Sequence, residues 1–125
     1  MLTSGIMALH FKGGDFLIYQ IESGYGLLRV LAVEDEDNDP VWHLAAYDEF
    51  FLEVEQAEAL IASGTLPKPD HEHFALTNRA FESNQVAKIA HLPLTETDVK
   101  SLKDWRDGSD REISDRSVRL LLGLR

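Results

Sequence analysis

His71 and His73 stand on either side of Glu72, a spacing that in a β-strand turns both imidazoles to one face. Two such rings are half of a zinc or other transition-metal centre, with the remaining donors supplied by His10, His43, His91 or a carboxylate if the fold converges them. The pair lacks the helical two-turn spacing of a zinc protease, so no proteolysis is implied. Its alternative is an exposed pair on a strand edge or loop. A second candidate is the run Glu34-Asp35-Glu36-Asp37-Asn38-Asp39-Pro40, in which Asp35, Asp37 and Asp39 take the first, third and fifth places of a calcium loop. The match then fails, because Pro40 replaces the glycine of the sixth place and Ala46 the bidentate glutamate of the twelfth. The run reads instead as a solvated hairpin tip, or as a docking surface for a cationic partner.

Asp48 and Glu49 precede Phe50 and Phe51, and paired acids of this kind can work as acid and base in a cleft. The periodicity places them at the start of a helix, where the helix dipole by itself favours negative charge. No G-x-S-x-G elbow arranges the serines, histidines and aspartates, and the glycines at 13, 14, 24 and 26 form no phosphate loop. The absence of cysteine excludes disulfides, thiolate ligands and cysteine nucleophiles. Trp42, Trp105, Phe50, Phe51, Phe74 and Phe81 read as core rather than as a ligand platform. The residues assign no catalytic group and no cofactor.

The net charge of −10 falls entirely on residues 1–62, where Lys12 and Arg29 face twelve acids, while residues 63–125 are neutral. Asymmetry of this kind concerns partners and association rates. It disfavours nucleic acid, which needs clustered Lys and Arg, and suits a basic protein. The expected contact residues are Glu34, Asp35, Glu36, Asp37, Asp39, Asp48, Glu49 and Glu53. Arg106, Arg111, Arg116, Arg119 and Arg125 alternate with acids, giving a salt-bridged helix surface or a match to the acidic half of a second copy, so a homodimer is compatible. The N-terminus has no signal-peptide pattern, and no run approaches a membrane span, so the expectation is a cytoplasmic chain without membrane contact.

The elements that must carry these groups are legible. At 125 residues the chain is one domain with ordinary hydrophobic content. Residues 16–21 and 27–33 are strand-like runs around a glycine-bearing turn, and both are apolar on both faces, which requires a sheet covered on two sides or curled into a small barrel. Residues 41–47 form a third strand, so that 1–47 is a β-meander. A helix is expected over 48–64, closed by Gly64, and 65–92 holds a connector with further strands at 71–77 and 85–92 around a turn or single helical turn at 78–82. In the helical stretch 93–125, Thr95 and Asp98 form a capping box for a helix to about Trp105, and Ser114 or Asp115 caps a last short one through Leu122.

The stretch Gly14-Asp15-Phe16-Leu17-Ile18-Tyr19-Gln20-Ile21-Glu22-Ser23-Gly24-Tyr25-Gly26-Leu27-Leu28-Arg29-Val30-Leu31 resembles the opening of a family of small bacterial immunity proteins. There a Gly-Asp enters a strand, and an aromatic-Gly pair leads into the next. Tyr47-Asp48-Glu49-Phe50-Phe51 is a looser echo. The resemblance implies an SH3-like curled sheet and neutralisation of a delivered toxin. Gly-Asp also opens SH3-like ribonuclease toxins, but their arginine-proline step is absent here, where Val30 follows Arg29.

The expectation is therefore an α+β fold: an antiparallel, SH3-like meander with a middle helix and two short C-terminal helices. Its expected function is non-enzymatic binding of a basic protein, immunity-type. The alternatives are a small metal-binding protein or hydrolase built on His71 and His73, and a homodimeric structural subunit.

Overall fold

The computed structural model describes residues 11–36 and 39–122. Strand β1 (Asp15–Ile21) returns through Glu22 and Ser23 into β2 (Gly24–Glu36), and β2 pairs antiparallel with β3 (Asp39–Phe51). Helix α1 (Val54–Ser63) then leads to β4 (His71–Thr77), helix α2 (Asn78–Glu82) and β5 (Val86–His91). Helices α3 (Lys100–Asp107) and α4 (Val118–Leu121) complete the α+β fold. The sheet is open and antiparallel, in the order β4-β3-β2-β1-β5, so the chain meanders through four strands and returns β5 to the β1 edge.

Strands apolar on both faces demand cover on both, and the fold supplies it. On one face Leu17, Tyr19, Leu28, Val30, Trp42 and Leu44 pack under Phe11, α2 and α4. Trp42 stacks on Phe81 at 3.8 Å and donates its Nε1–H to Asn78 Oδ1 at 2.9 Å. On the other face Phe16, Ile18, Leu27 and Tyr47 pack against Ala57 and Ile61 of α1, while Leu31 and Ala45 pack against Leu102 of α3. Two buried faces on one sheet explain why the hydrophobic runs do not alternate.

Two boundaries differ from the sequence pattern. The β2–β3 ladder continues through Asp35↔Pro40 and Glu36↔Asp39, because a tight hairpin keeps its backbone paired whatever the strand propensity of its residues. At its other end β3 runs on to Phe51, with Phe50 opposite Gly26 and Phe51 opposite Tyr25. The helix expected from residue 48 therefore begins at Val54. Gln56 Oε1 accepts the backbone N–H groups of Leu52 and Glu53 at 2.9 and 3.1 Å. The helix ends, as expected, at Gly64 in the left-handed region.

Thr95 and Asp98 exchange the two expected hydrogen bonds at 2.8 and 3.2 Å, but they close a turn ahead of the helix: α3 begins only at Lys100, with Val99 at its N-cap, and runs to Asp107. Ser117, rather than Ser114 or Asp115, caps the last helix. Ser114 is held elsewhere: its backbone extends β4, exchanging hydrogen bonds with Ala75 and Thr77. Asp115 accepts from Thr77 Oγ1 and pairs with Arg79. No helix among the described residues is long and apolar enough to cross a membrane.

Candidate functional site

His43 is fully buried in β3, a strand otherwise lined by Val41, Trp42, Leu44 and Ala45. Its Nε2 lies 2.7 Å from Glu34 Oε1 and its Nδ1 lies 2.9 Å from His73 Nε2. A carboxylate only accepts, so His43 Nε2 carries hydrogen; the single hydrogen of the Nδ1···Nε2 contact belongs to His73 when His43 is neutral and to His43 when it is the imidazolium paired with Glu34. The second oxygen of Glu34 takes the Arg106 guanidinium of α3. Trp105 closes the assembly, edge-on to His43 with ring centroids 4.9 Å apart. Burial pushes the His73 imidazole down to about 4, the nearby His43 and Arg106 adding to it and Glu34 opposing. Burial works the other way on Glu34, but its bonds to His43 and Arg106 outweigh that and hold its carboxyl below the usual range. The arrangement holds one hydrogen between β3 and β4. His73 lines a cleft with Trp105, Glu112 and Ser114, where Ser114 Oγ accepts the Arg116 N–H at 3.1 Å.

The spacing of His71 and His73 does not deliver a shared face. Pairing steps from Leu44↔Phe74 to Ala46↔His71, so β4 carries one extra residue at a bulge between them. His73 turns to His43, whereas His71 approaches Asp48 at 3.7 Å. Among the described residues no three His or carboxylate groups converge on a metal position.

Two further polar groups are buried where the sequence pattern shows only strand. Arg29 lies over the Phe16 ring at 4.6 Å, pairs with Asp98 at 3.1 Å and donates to the carbonyls of Leu92 and Pro93. It thus fastens the loop ahead of α3 to the middle of the sheet. Asp15 is 1% exposed and accepts from Lys12 N–H, His91 Nδ1 and Lys88 Nζ, tying β1 to its neighbour β5.

The acids expected to meet a partner divide. Glu34 pairs with His43 and Arg106 while its side chain stays 36% exposed. Asp35 and Glu36 are paired backbone of the hairpin, Asp39 is exposed, and Asp37 lies outside the described residues. Asp48 and Glu49 belong to β3, not to a helix start, so the helix dipole does not account for them. Glu49, Glu53, Glu55 and Glu58 have no ion-pair partner among the described residues. Between the first two stand Phe50 and Leu52, 45% and 66% exposed. This corner, where β3 hands over to α1, joins exposed apolar surface to unpaired negative charge.

From the sequence His43 stood only as a spare metal donor, Trp105 as core and Arg106 as helix surface, and Arg29 had no assigned partner. The available signal was a polar residue isolated in an apolar strand: Leu28-Arg29-Val30 and Trp42-His43-Leu44 each require a buried partner. Compared with protein-family models, with curated proteins and with solved structures, the chain matches none.

Proposed function

We propose that this protein is a non-enzymatic binding module that engages a basic protein through the β3–α1 corner, in the manner of an immunity protein acting in the bacterial cytoplasm. The observation that carries the reading is the exposure of Phe50 and Leu52 between Glu49 and Glu53. An apolar anchor rimmed by unpaired charge supplies both parts of a specific interface: buried area for affinity and a field for rapid encounter. The net charge of −10 adds long-range attraction for a cationic partner. The resemblance of residues 14–31 to immunity proteins agrees with this.

The test is calorimetric titration with candidate basic toxin domains, at low and at high salt. Affinity falls with added salt, and Phe50→Ser with Glu49→Gln and Glu53→Gln weakens it at least tenfold while the fold is retained. Unchanged affinity in that variant, or binding indifferent to salt, refutes the reading.

A further inference from the structure

Beside the end of β3, between β1, β2 and Leu122 just past α4, lies a small cavity of about 70 Å³ whose lining includes Tyr19, Ile21, Gly26, Asp48, Glu49 and Phe50. Tyr19 is 2% exposed, and its hydroxyl makes no hydrogen bond among the described residues; the oxygen is not itself fully buried, so it is open to the cavity. The ring reaches this position by lying flat on Gly26, where a Cβ would stand 2.3 Å from Tyr19 Cζ. Burial and the nearby Asp48 carboxylate push the phenol up to about 12, so it stays neutral and can accept as well as donate a hydrogen bond.

The walls have a consistent chemistry. Asp48 and Glu49 bring two carboxylates, and Phe50, 45% exposed, brings an aromatic face that attracts cations. Ile21 offers apolar surface for a methylene stem. The charges around Asp48 leave this demand unmet: His71 approaches only to 3.7 Å, Asp70 accepts the Asp48 backbone N–H, and Glu49 has no ion-pair partner. The cavity has room for roughly two waters' worth of liquid, which suits a compact ammonium with its last methylenes better than a planar guanidinium fork.

We propose that this cavity is a recognition cage for one lysine side chain of the partner protein, its ammonium held between Asp48, Glu49 and the Tyr19 hydroxyl with its stem against Phe50 and Ile21. The proposal rests on the binding-module reading and names the side chain that module selects. A lysine cage makes the corner specific: a basic surface without a protruding lysine meets the charge but not the pocket.

The test uses the full chain and three small probes, the Nα-acetyl methylamides of lysine, arginine and norleucine, followed by amide NMR shifts. The lysine probe moves the Gly26, Asp48, Glu49 and Phe50 resonances with millimolar affinity, arginine binds more weakly, and norleucine leaves them in place. Glu49→Gln weakens the lysine probe about tenfold, and Phe50→Leu weakens it while leaving the corner apolar. Equal shifts from norleucine, no shifts from lysine, or an arginine probe that binds as well overturns the cage. The two readings fail separately: a partner that binds in a salt-sensitive way but is unaffected by reductive dimethylation of its lysines leaves the module and removes the cage, whereas salt-indifferent binding removes the module itself.

Discussion

His43 Nδ1 and His73 Nε2 face each other at 2.9 Å across the β3–β4 pair, so the two imidazoles hold one hydrogen between them. A second proton would put two N–H groups head to head. Glu34 neutralises charge only on the far side of His43, and Arg106 and Trp105 of α3 close the other approaches. The relationship therefore favours a neutral His73 in the folded chain.

This has a consequence for stability against pH. The His73 value falls from the usual 6.5 to about 4 on folding, through burial first and the neighbouring His43 and Arg106 second. Between these values the unfolded chain binds more protons than the native one, so stability rises with pH across that window. The contribution is complete above 6.5 and is lost as the pH drops toward 4. Thermal unfolding followed across this range shows a downward slope toward acid, which His73→Gln flattens; histidine NMR showing a charged His73 near neutral pH contradicts it.

Asp15 responds to acid in a lower range. Burial alone would raise its carboxyl, but the Lys12 N–H, His91 and Lys88 outweigh burial and hold it below its usual 3.8. Its stabilising effect is present above 3.8 and disappears as the pH falls through the native value. Asp15→Ala removes three bonds to a buried carboxylate and is expected to cost about 3 kcal/mol near neutral pH. Chemical denaturation measures this, and hydrogen exchange should show β5 loosening from β1 first.

Arg29 and Asp98 form a largely buried ion pair, their side chains 9% and 24% exposed. Removing one partner of a buried pair strands the other, so Arg29→Ala is expected to cost about 3–5 kcal/mol. By contrast, Lys100→Ala breaks an exposed pair with Asp104 on α3 and costs less than about 1 kcal/mol. Urea unfolding of the two variants side by side tests the ranking.

Gly26 and Gly64 are required for different reasons. Alanine at 26 meets the Tyr19 ring, which must shift, at an expected cost of about 1–3 kcal/mol, with loss of the lysine-probe response. Alanine at 64 meets nothing within 4 Å but must adopt a φ of 75°, and costs about 1 kcal/mol. Rescue of Gly26→Ala by Tyr19→Leu, with no such rescue of Gly64→Ala, separates the steric from the backbone effect.

Much of this molecule is written locally. The runs Phe16–Ile21 and Leu27–Val33 announce strands buried on two faces, Gly64 announces a helix end, and Thr95 with Asp98 announces a reciprocal pair of hydrogen bonds, because each depends on neighbours a few residues apart. The acidity of residues 1–62 is equally explicit. What composition and spacing could not settle is the use of each polar side chain. One extra residue in β4 sends His71 and His73 to different partners, and the continuation of β3 to Phe51 moves Asp48 and Glu49 from a helix start to a strand end. Pairing across distant segments decided that Glu34 would serve His43 and Arg106, that Arg29 would be buried against Asp98, and that Tyr19 would lie on Gly26 beside Phe50. The physical reason is range: propensity, periodicity and caps act within a turn or two of the chain, whereas strand register is set only when the sheet assembles, and a single bulge reassigns every side chain beyond it.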